Sequence, residues 1–128
     1  MNGRHFLLDT NAIIQLLAGN GPLRRLLEDA EFLCTSVICQ LEFLSYPGLT
    51  DADRALLSEF LGKICVLDVA SGDEALMSAI SSMRVGHGLK LPDAIIAGTA
   101  SVCGCEIVTA DDHFSRQDLV PVVGYEVL

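Results

Sequence analysis

Short apolar runs alternate with amphipathic stretches along the whole chain. Phe6-Leu7-Leu8 stops at Asp9-Thr10-Asn11, residue types that turn the backbone and cap helices, so the run reads as a buried strand. Ile13, Leu16 and Leu17 follow at helical spacing until Gly19-Asn20-Gly21-Pro22 breaks the pattern, and Leu23, Leu26, Leu27 and Ala30 begin a second helix. Phe32-Leu33-Cys34 is another short strand, closed by Thr35-Ser36. Ser36 can cap a helix that carries Val37, Ile38, Leu41 and Leu44 as far as Pro47-Gly48. Residues 50–61 read as an amphipathic helix with a Thr cap, and residues 64–69 alternate like a third strand. Ser71-Gly72-Asp73-Glu74 opens a helix through Leu76, Met77, Ile80 and Met83 that ends near Gly86-His87-Gly88. Pro92 introduces a further helix in which Ala94-Ile95-Ile96-Ala97 offers small residues for close packing. Residues 106–109 form a fourth strand and residues 122–127 a fifth.

Strands this short and apolar, alternating with helices, predict an α/β fold with a parallel sheet of about five strands covered on both faces. Residues 1–128 fit one such domain. Open parallel sheets hold their sites beyond the carboxyl ends of the strands, where the strand order reverses. Four acids fall where that rule points. Asp9 ends the first strand, Asp93 opens a helix directly after Pro92, and Asp111 stands two residues beyond Thr109. Glu42 lies six residues after the Ser36 cap, about 9 Å along a helix axis, and its side chain leans back toward the helix N-terminus. Each has an ordinary alternative: Asp9 can cap the next helix, Asp93 can answer a helix dipole, Glu42 can sit on a solvated face, and Asp111 can serve a turn. Together, carboxylates without His or Cys favour a hard, oxygen-seeking cation, Mg²⁺ or Mn²⁺, over zinc.

Composition narrows the possibilities. A net charge of −9 excludes a simple basic nucleic-acid module but not an enzyme whose acids hold divalent metal. The five cysteines, at 34, 39, 65, 103 and 105, are odd in number and contain no CxxC pair. They support neither a disulfide framework nor structural zinc, and suit a reducing cytoplasm. Cys103 and Cys105 read as small buried hydrophobes. The chain starts without a signal-peptide pattern, and its most apolar stretch, residues 94–108, is interrupted by Gly98, Thr99, Ser101, Gly104 and Glu106, so no membrane span is expected.

Four segments, Leu7-Leu8-Asp9-Thr10-Asn11-Ala12-Ile13-Ile14, Thr35-Ser36-Val37-Ile38-Cys39-Gln40-Leu41-Glu42, Leu91-Pro92-Asp93-Ala94-Ile95-Ile96-Ala97 and Val108-Thr109-Ala110-Asp111, resemble the PIN-domain family. Within it they resemble the VapC-type toxins of toxin–antitoxin pairs. The resemblance spans essentially the whole chain and implies a three-layer PIN-like fold with a Mg²⁺- or Mn²⁺-dependent ribonuclease site. It makes Asp9, Glu42, Asp93 and Asp111 the catalytic and metal-binding acids. Thr10, Asn11, Ser36 and Thr109 become supporting polar groups. Asp111 matches the family's T-x-D/N pattern, with the adjacent Asp112 as the alternative, and His113-Phe114 fits the aromatic end of that motif, with Phe114 packing.

The implied reaction is hydrolysis of RNA phosphodiester bonds, leaving 5′-phosphate and 3′-hydroxyl ends. The implied partners are RNA, a cognate antitoxin protein and a second copy of the chain. Arg4, Arg24, Arg25, Arg84, Lys90 and Arg116 are the cations available to meet RNA, with Lys90, Arg24 and Arg25 as substrate-binding candidates. Leu56, Leu57, Phe60 and Leu61 could line a groove for an antitoxin segment, or could simply be core. A dehalogenase-type phosphotransferase needs a second Asp where Asn11 stands, and a response-regulator receiver, though Asp68 follows the third strand, needs an acidic pair after the first strand that is missing there. The remaining competitor is a PIN-type subunit that acts with an antitoxin on operator DNA and has little nuclease activity.

Overall fold

Five strands, β1 (Arg4–Leu8), β2 (Ala30–Ser36), β3 (Cys65–Leu67), β4 (Glu106–Val108) and β5 (Val122–Val123), pair in parallel throughout. The coordinates are a computed structural model and describe residues 3–112, 114 and 120–128; His113 and Arg116 lie outside the described residues. The spatial order is β3-β2-β1-β4-β5. The chain therefore builds outward from β1 on one side, then crosses over and builds outward on the other. That reversal puts the topological switch point between β1 and β4. Phe6, Leu7 and Leu8 of β1 are completely buried, as are Ile107 and Val108 of β4. The centre of the sheet is thus apolar on both faces, as the uninterrupted runs in the sequence require.

Among the described residues six helices fill the crossovers: α1 (Thr10–Leu17), α2 (Gly21–Leu27), α3 (Val37–Leu44), α4 (Asp51–Leu61), α5 (Glu74–His87) and α6 (Leu91–Cys103). Five begin where a polar side chain accepts an otherwise unpartnered backbone N–H. Asp9, Asn20, Ser36, Thr50 and Asp73 take those positions, and Thr50 with Asp53 completes a reciprocal capping box. Asn20 does more than cap. It is fully buried and donates through Nδ2 to Gln15 Oε1 at 2.9 Å and to the Glu126 carbonyl at 2.8 Å, while the Leu128 N–H donates to the same Gln15 oxygen. The carboxyl-terminal residues are thereby fastened beside α1.

The differences from the sequence reading are local. Ala30 belongs to β2, where it pairs with Arg4, and not to the preceding helix, which ends at Leu27. The third and fifth strands are shorter than the runs 64–69 and 122–127, because pairing holds only while a neighbouring strand is within reach. Cys105 is buried, but Cys103 is exposed, since α6 runs on to Cys103 before Gly104 ends it in a left-handed conformation at φ 69°. All five cysteines are free, and the closest described pair, Cys34 and Cys105, places its sulfurs 3.9 Å apart. Among the described residues no helix is long and apolar enough to cross a membrane.

α5 and α6 meet at Gly98. A Cβ built there would lie 2.8 Å from Ile80 Cγ1 and 3.0 and 3.1 Å from the Ile80 backbone N and Cα. Backbone cannot yield as a side-chain tip does, so the small residues of α6 set the helix spacing. The Gly98→Val variant should lose about 2 kcal/mol or more through overpacking, despite the better helix propensity of valine. A thermal melt checks this, and an unchanged midpoint would show that the two helices can move apart freely.

Candidate active site

The strand-end turn at Leu8 carries Asp9 to the carboxyl edge of the sheet, beside the end of β4. Asp9 is 5% exposed, and both of its oxygens are engaged. Oδ1 accepts the Ala12 N–H at 2.7 Å, which starts α1, and Oδ2 accepts the Thr109 hydroxyl. Thr109 is itself buried, and its oxygen accepts the Asp111 N–H at 2.9 Å. One hydroxyl therefore ties the first acid to the backbone of the fourth. Burial pushes the Asp9 carboxyl above the usual carboxylate range, the two hydrogen bonds oppose that, and the negative charges of Asp111 and Glu42 add to it.

Glu42 comes from α3, one helical turn and more beyond its Ser36 cap. Its Oε1 accepts the Thr10 hydroxyl at 2.7 Å, so the residue after Asp9 orients the second acid. Thr10 is buried, and Cys39 lies buried against Thr10 and Thr35, whose hydroxyls it contacts. Asp93 stands in the first turn of α6, where Pro92 fixes the helix start and Lys90 occupies the cap position without a side-chain cap bond. Acids are favoured at that end of a helix by its dipole.

Asp9, Glu42, Asp93 and Asp111 line one cleft of ≈ 580 Å³, together with Thr10 and Asn11. Ile38, Leu41, Ile96 and Phe114 give it an apolar wall, and Tyr46 and Pro47 stand at its edge. Asp112 is exposed and does not line it. Ser36 is buried and holds the start of α3 through the Ile38 N–H, outside the cleft wall. Lys90, Arg24 and Arg25 are exposed and likewise stand outside it. Among the described residues no three His, Cys, Asp or Glu side chains are drawn together closely enough to cage an ion. The donor set nevertheless suits Mg²⁺ or Mn²⁺. It offers carboxylate oxygen and no imidazole or thiolate, and Mg²⁺ commonly takes only one or two carboxylates directly and keeps several waters. The mutual repulsion registered at Asp9 is also what a cation relieves.

Three groups near the cleft carry no periodic signal in the sequence. Thr35, fully buried, donates its hydroxyl to the Leu8 carbonyl at 2.8 Å and so braces the strand end that presents Asp9. Tyr46 stands in the cleft wall after α3 has ended. Tyr125 follows β5 and shares a second cavity of ≈ 380 Å³ with Asn11 and Asp111. Its buried hydroxyl has no hydrogen-bond partner among the described residues, and burial with the nearby Asp9 charge pushes it up to about 12.

The chain matches the model of the PIN domain over residues 6–119. No curated protein sequence matches it. Similar solved structures include VapBC2 from Rickettsia felis bound to a DNA fragment from the promoter, at TM-score 0.81 and 16% identity over 94% of this chain and 98% of that one. DNA-bound VapBC from Salmonella typhimurium aligns at 0.76 and 22% identity over 94% and 98%. A toxin–antitoxin complex from Klebsiella pneumoniae aligns at 0.73 and 24% identity over 89% and 93%. At these identities the likeness is one of fold.

The hydroxyl of Thr109 is the testable joint of the site. Thr109→Val keeps the shape but leaves the buried Asp9 oxygen short of a donor, and should cost about 1–3 kcal/mol of stability in urea unfolding. Thr109→Ser should restore most of that loss. Equal stability of all three proteins would show that the bond between the strands contributes nothing.

Proposed function

The chain belongs to the PIN domain family, and from that premise we propose that it is a divalent-metal-dependent endoribonuclease, the toxin member of a VapC-type toxin–antitoxin pair. One observation carries the reading. Four carboxylates from four separate parts of the chain line a single cleft at the switch point of a parallel sheet. Nothing in an ordinary fold requires that convergence, which costs electrostatic energy unless a cation is present.

Asp9, Glu42, Asp93 and Asp111 are the residues to hold Mg²⁺ or Mn²⁺. When bound, such an ion supplies Lewis acidity toward a phosphate oxygen and makes water a better nucleophile. The chain's own part is positioning. Thr109 and Ala12 fix Asp9, Thr10 aims Glu42, and the Thr109 oxygen holds the backbone of Asp111. No Cys, His or Lys stands in the described cleft lining, and its hydroxyls, Thr10, Ser45 and Tyr46, each donate to another group of the chain. Water is then the attacking group, and the products carry 5′-phosphate and 3′-hydroxyl ends.

The partner reading rests on two supports. The similar structure from K. pneumoniae is a toxin–antitoxin complex by description, and this chain has an apolar groove of ≈ 360 Å³ next to the acidic cleft. Ile14, Leu17, Phe43, Leu49 and Leu56 line that groove. Of the α4 residues expected there only Leu56 does so; Leu57 is buried, and Phe60 and Leu61 pack against the core. An antitoxin segment in this groove, a homodimer and a cytoplasmic setting complete the proposal.

Purified protein and an Asp93→Asn variant, incubated with structured RNA in Mg²⁺, Mn²⁺ or chelator, test the activity. Wild-type cleavage should vanish in chelator and fall at least about 100-fold in the variant, since a lost charge-stabilising contact is worth that much. The products should be 5′-phosphorylated. Identical behaviour of the two proteins would remove the four acids from any catalytic role. Light scattering should report two chains per particle, and a monomer at micromolar concentration would overturn the homodimer.

A further inference from the structure

A nuclease cleft must hold a polyanion, and this one lacks the usual means. Among the described residues no Lys or Arg lines it. Arg4 is paired with Glu106 at 2.7 Å, Arg54 with Asp51 at 3.5 Å and Lys63 with Glu59 at 3.7 Å, all away from the cleft. The chain as a whole is at −9. A cation held by the acids can anchor one phosphate, but the rest of a strand needs another source of affinity.

Tyr46 supplies one. Phe6, Phe43 and Phe114 are buried, and Phe32, Phe60 and Tyr125 are packed against the core, whereas Tyr46 is 46% exposed. It stands next to Pro47 in the wall shared by the acidic cleft and the apolar groove. Its hydroxyl makes a long 3.5 Å hydrogen bond to Asn11 Oδ1, which sets the ring against the residue two beyond Asp9. Exposing an aromatic face is unfavourable in water, and here it happens on the rim of the cleft that carries the acids. A cleft of ≈ 580 Å³ is the size of an ordinary small-ligand site and can take a nucleotide alongside its phosphate.

We propose that Tyr46 is a binding residue whose ring is the platform on which one unstacked RNA base rests while the adjoining phosphate lies over the four carboxylates. This rests on the nuclease reading and adds to it. Stacking tolerates many sequences because every base has a π face, and it does not depend on counterion release. Binding should therefore depend strongly on the ring and weakly on salt.

The test is steady-state cleavage of an unpaired, mixed-sequence oligoribonucleotide in Mg²⁺. Tyr46→Phe keeps the ring and drops the contact with Asn11, while Tyr46→Leu keeps an apolar side chain and drops the π face. Both changes are at an exposed position, and the folded state of each variant is verified by its melting curve. Tyr46→Leu should raise KM about tenfold with kcat within about twofold, and Tyr46→Phe should stay near wild type. Between about 50 and about 200 mM salt the wild-type KM should change by no more than about threefold, as for a single phosphate contact. An unchanged KM in Tyr46→Leu overturns the platform and leaves the ring to a protein-facing role at the groove; a steep salt dependence overturns it in favour of cationic contacts. Absence of any chelator-sensitive cleavage by the wild type overturns the nuclease reading and this inference with it.

Discussion

A carboxylate at the end of a fully buried strand is the demand around which the rest of the molecule is arranged. Removing an ionised carboxyl from water costs several kcal/mol unless neighbouring groups compensate. Asp9 meets that cost with the Ala12 N–H and the Thr109 hydroxyl. The first of these can exist only if a helix starts immediately after β1. The second can exist only if β4 lies beside β1 and ends at the same level, as the pairing of Leu8 with Val108 ensures. The Thr109 oxygen then accepts from Asp111 and fixes the start of the loop that carries it. Helix start, strand neighbour and loop geometry are thus three consequences of one buried charge.

That charge is incompletely satisfied. Burial together with Glu42 and Asp111 holds its carboxyl above the usual range in spite of two hydrogen bonds. The fold tolerates this because the acids hang from separate elements, each locally sound. Asp9 caps α1, Glu42 is bonded to Thr10, and Asp93 sits at a favourable helix end. Local stability supports a shared repulsion, which is how a protein keeps an acidic cleft without unfolding around it. With a net charge of −9 and no described cation in its wall, the cleft is unfavourable for a bare phosphate. On the proposed function, divalent metal would offset that repulsion.

Much of this was legible in the sequence, for a physical reason. The residues that stop a buried strand also cap the next helix, so Asp9, Ser36 and Asp73 marked element boundaries correctly, and the parallel sheet followed from the alternation. The misplaced positions lie where local pattern and tertiary pairing disagree. Ala30 satisfies a helical period but is claimed by Arg4 across the sheet, and the residues beyond Val123 look like strand but leave it. The acids were legible because strand ends are where such sheets gather chemistry. Tyr46's exposed ring and Tyr125's buried hydroxyl were not, since contacts between distant segments leave no periodic trace. Lys90 shows the converse, being close to Asp93 in sequence and yet outside the cleft wall.

The strand order has a consequence in time. β1 is made first, but one of its edges stays uncovered until β4 arrives, and Asp9 waits for a hydroxyl 100 residues later in the chain. A ribosome that has delivered β1 to β3 has delivered Asp9 and Glu42 without Asp93, Asp111 or Thr109. Assembly of the cleft therefore waits until residues 93–111 have followed the first three strands. A transcript broken before the codon for Asp93 yields a polypeptide with half of the four acids and a sticky central strand, a substrate for proteolysis with no finished cleft.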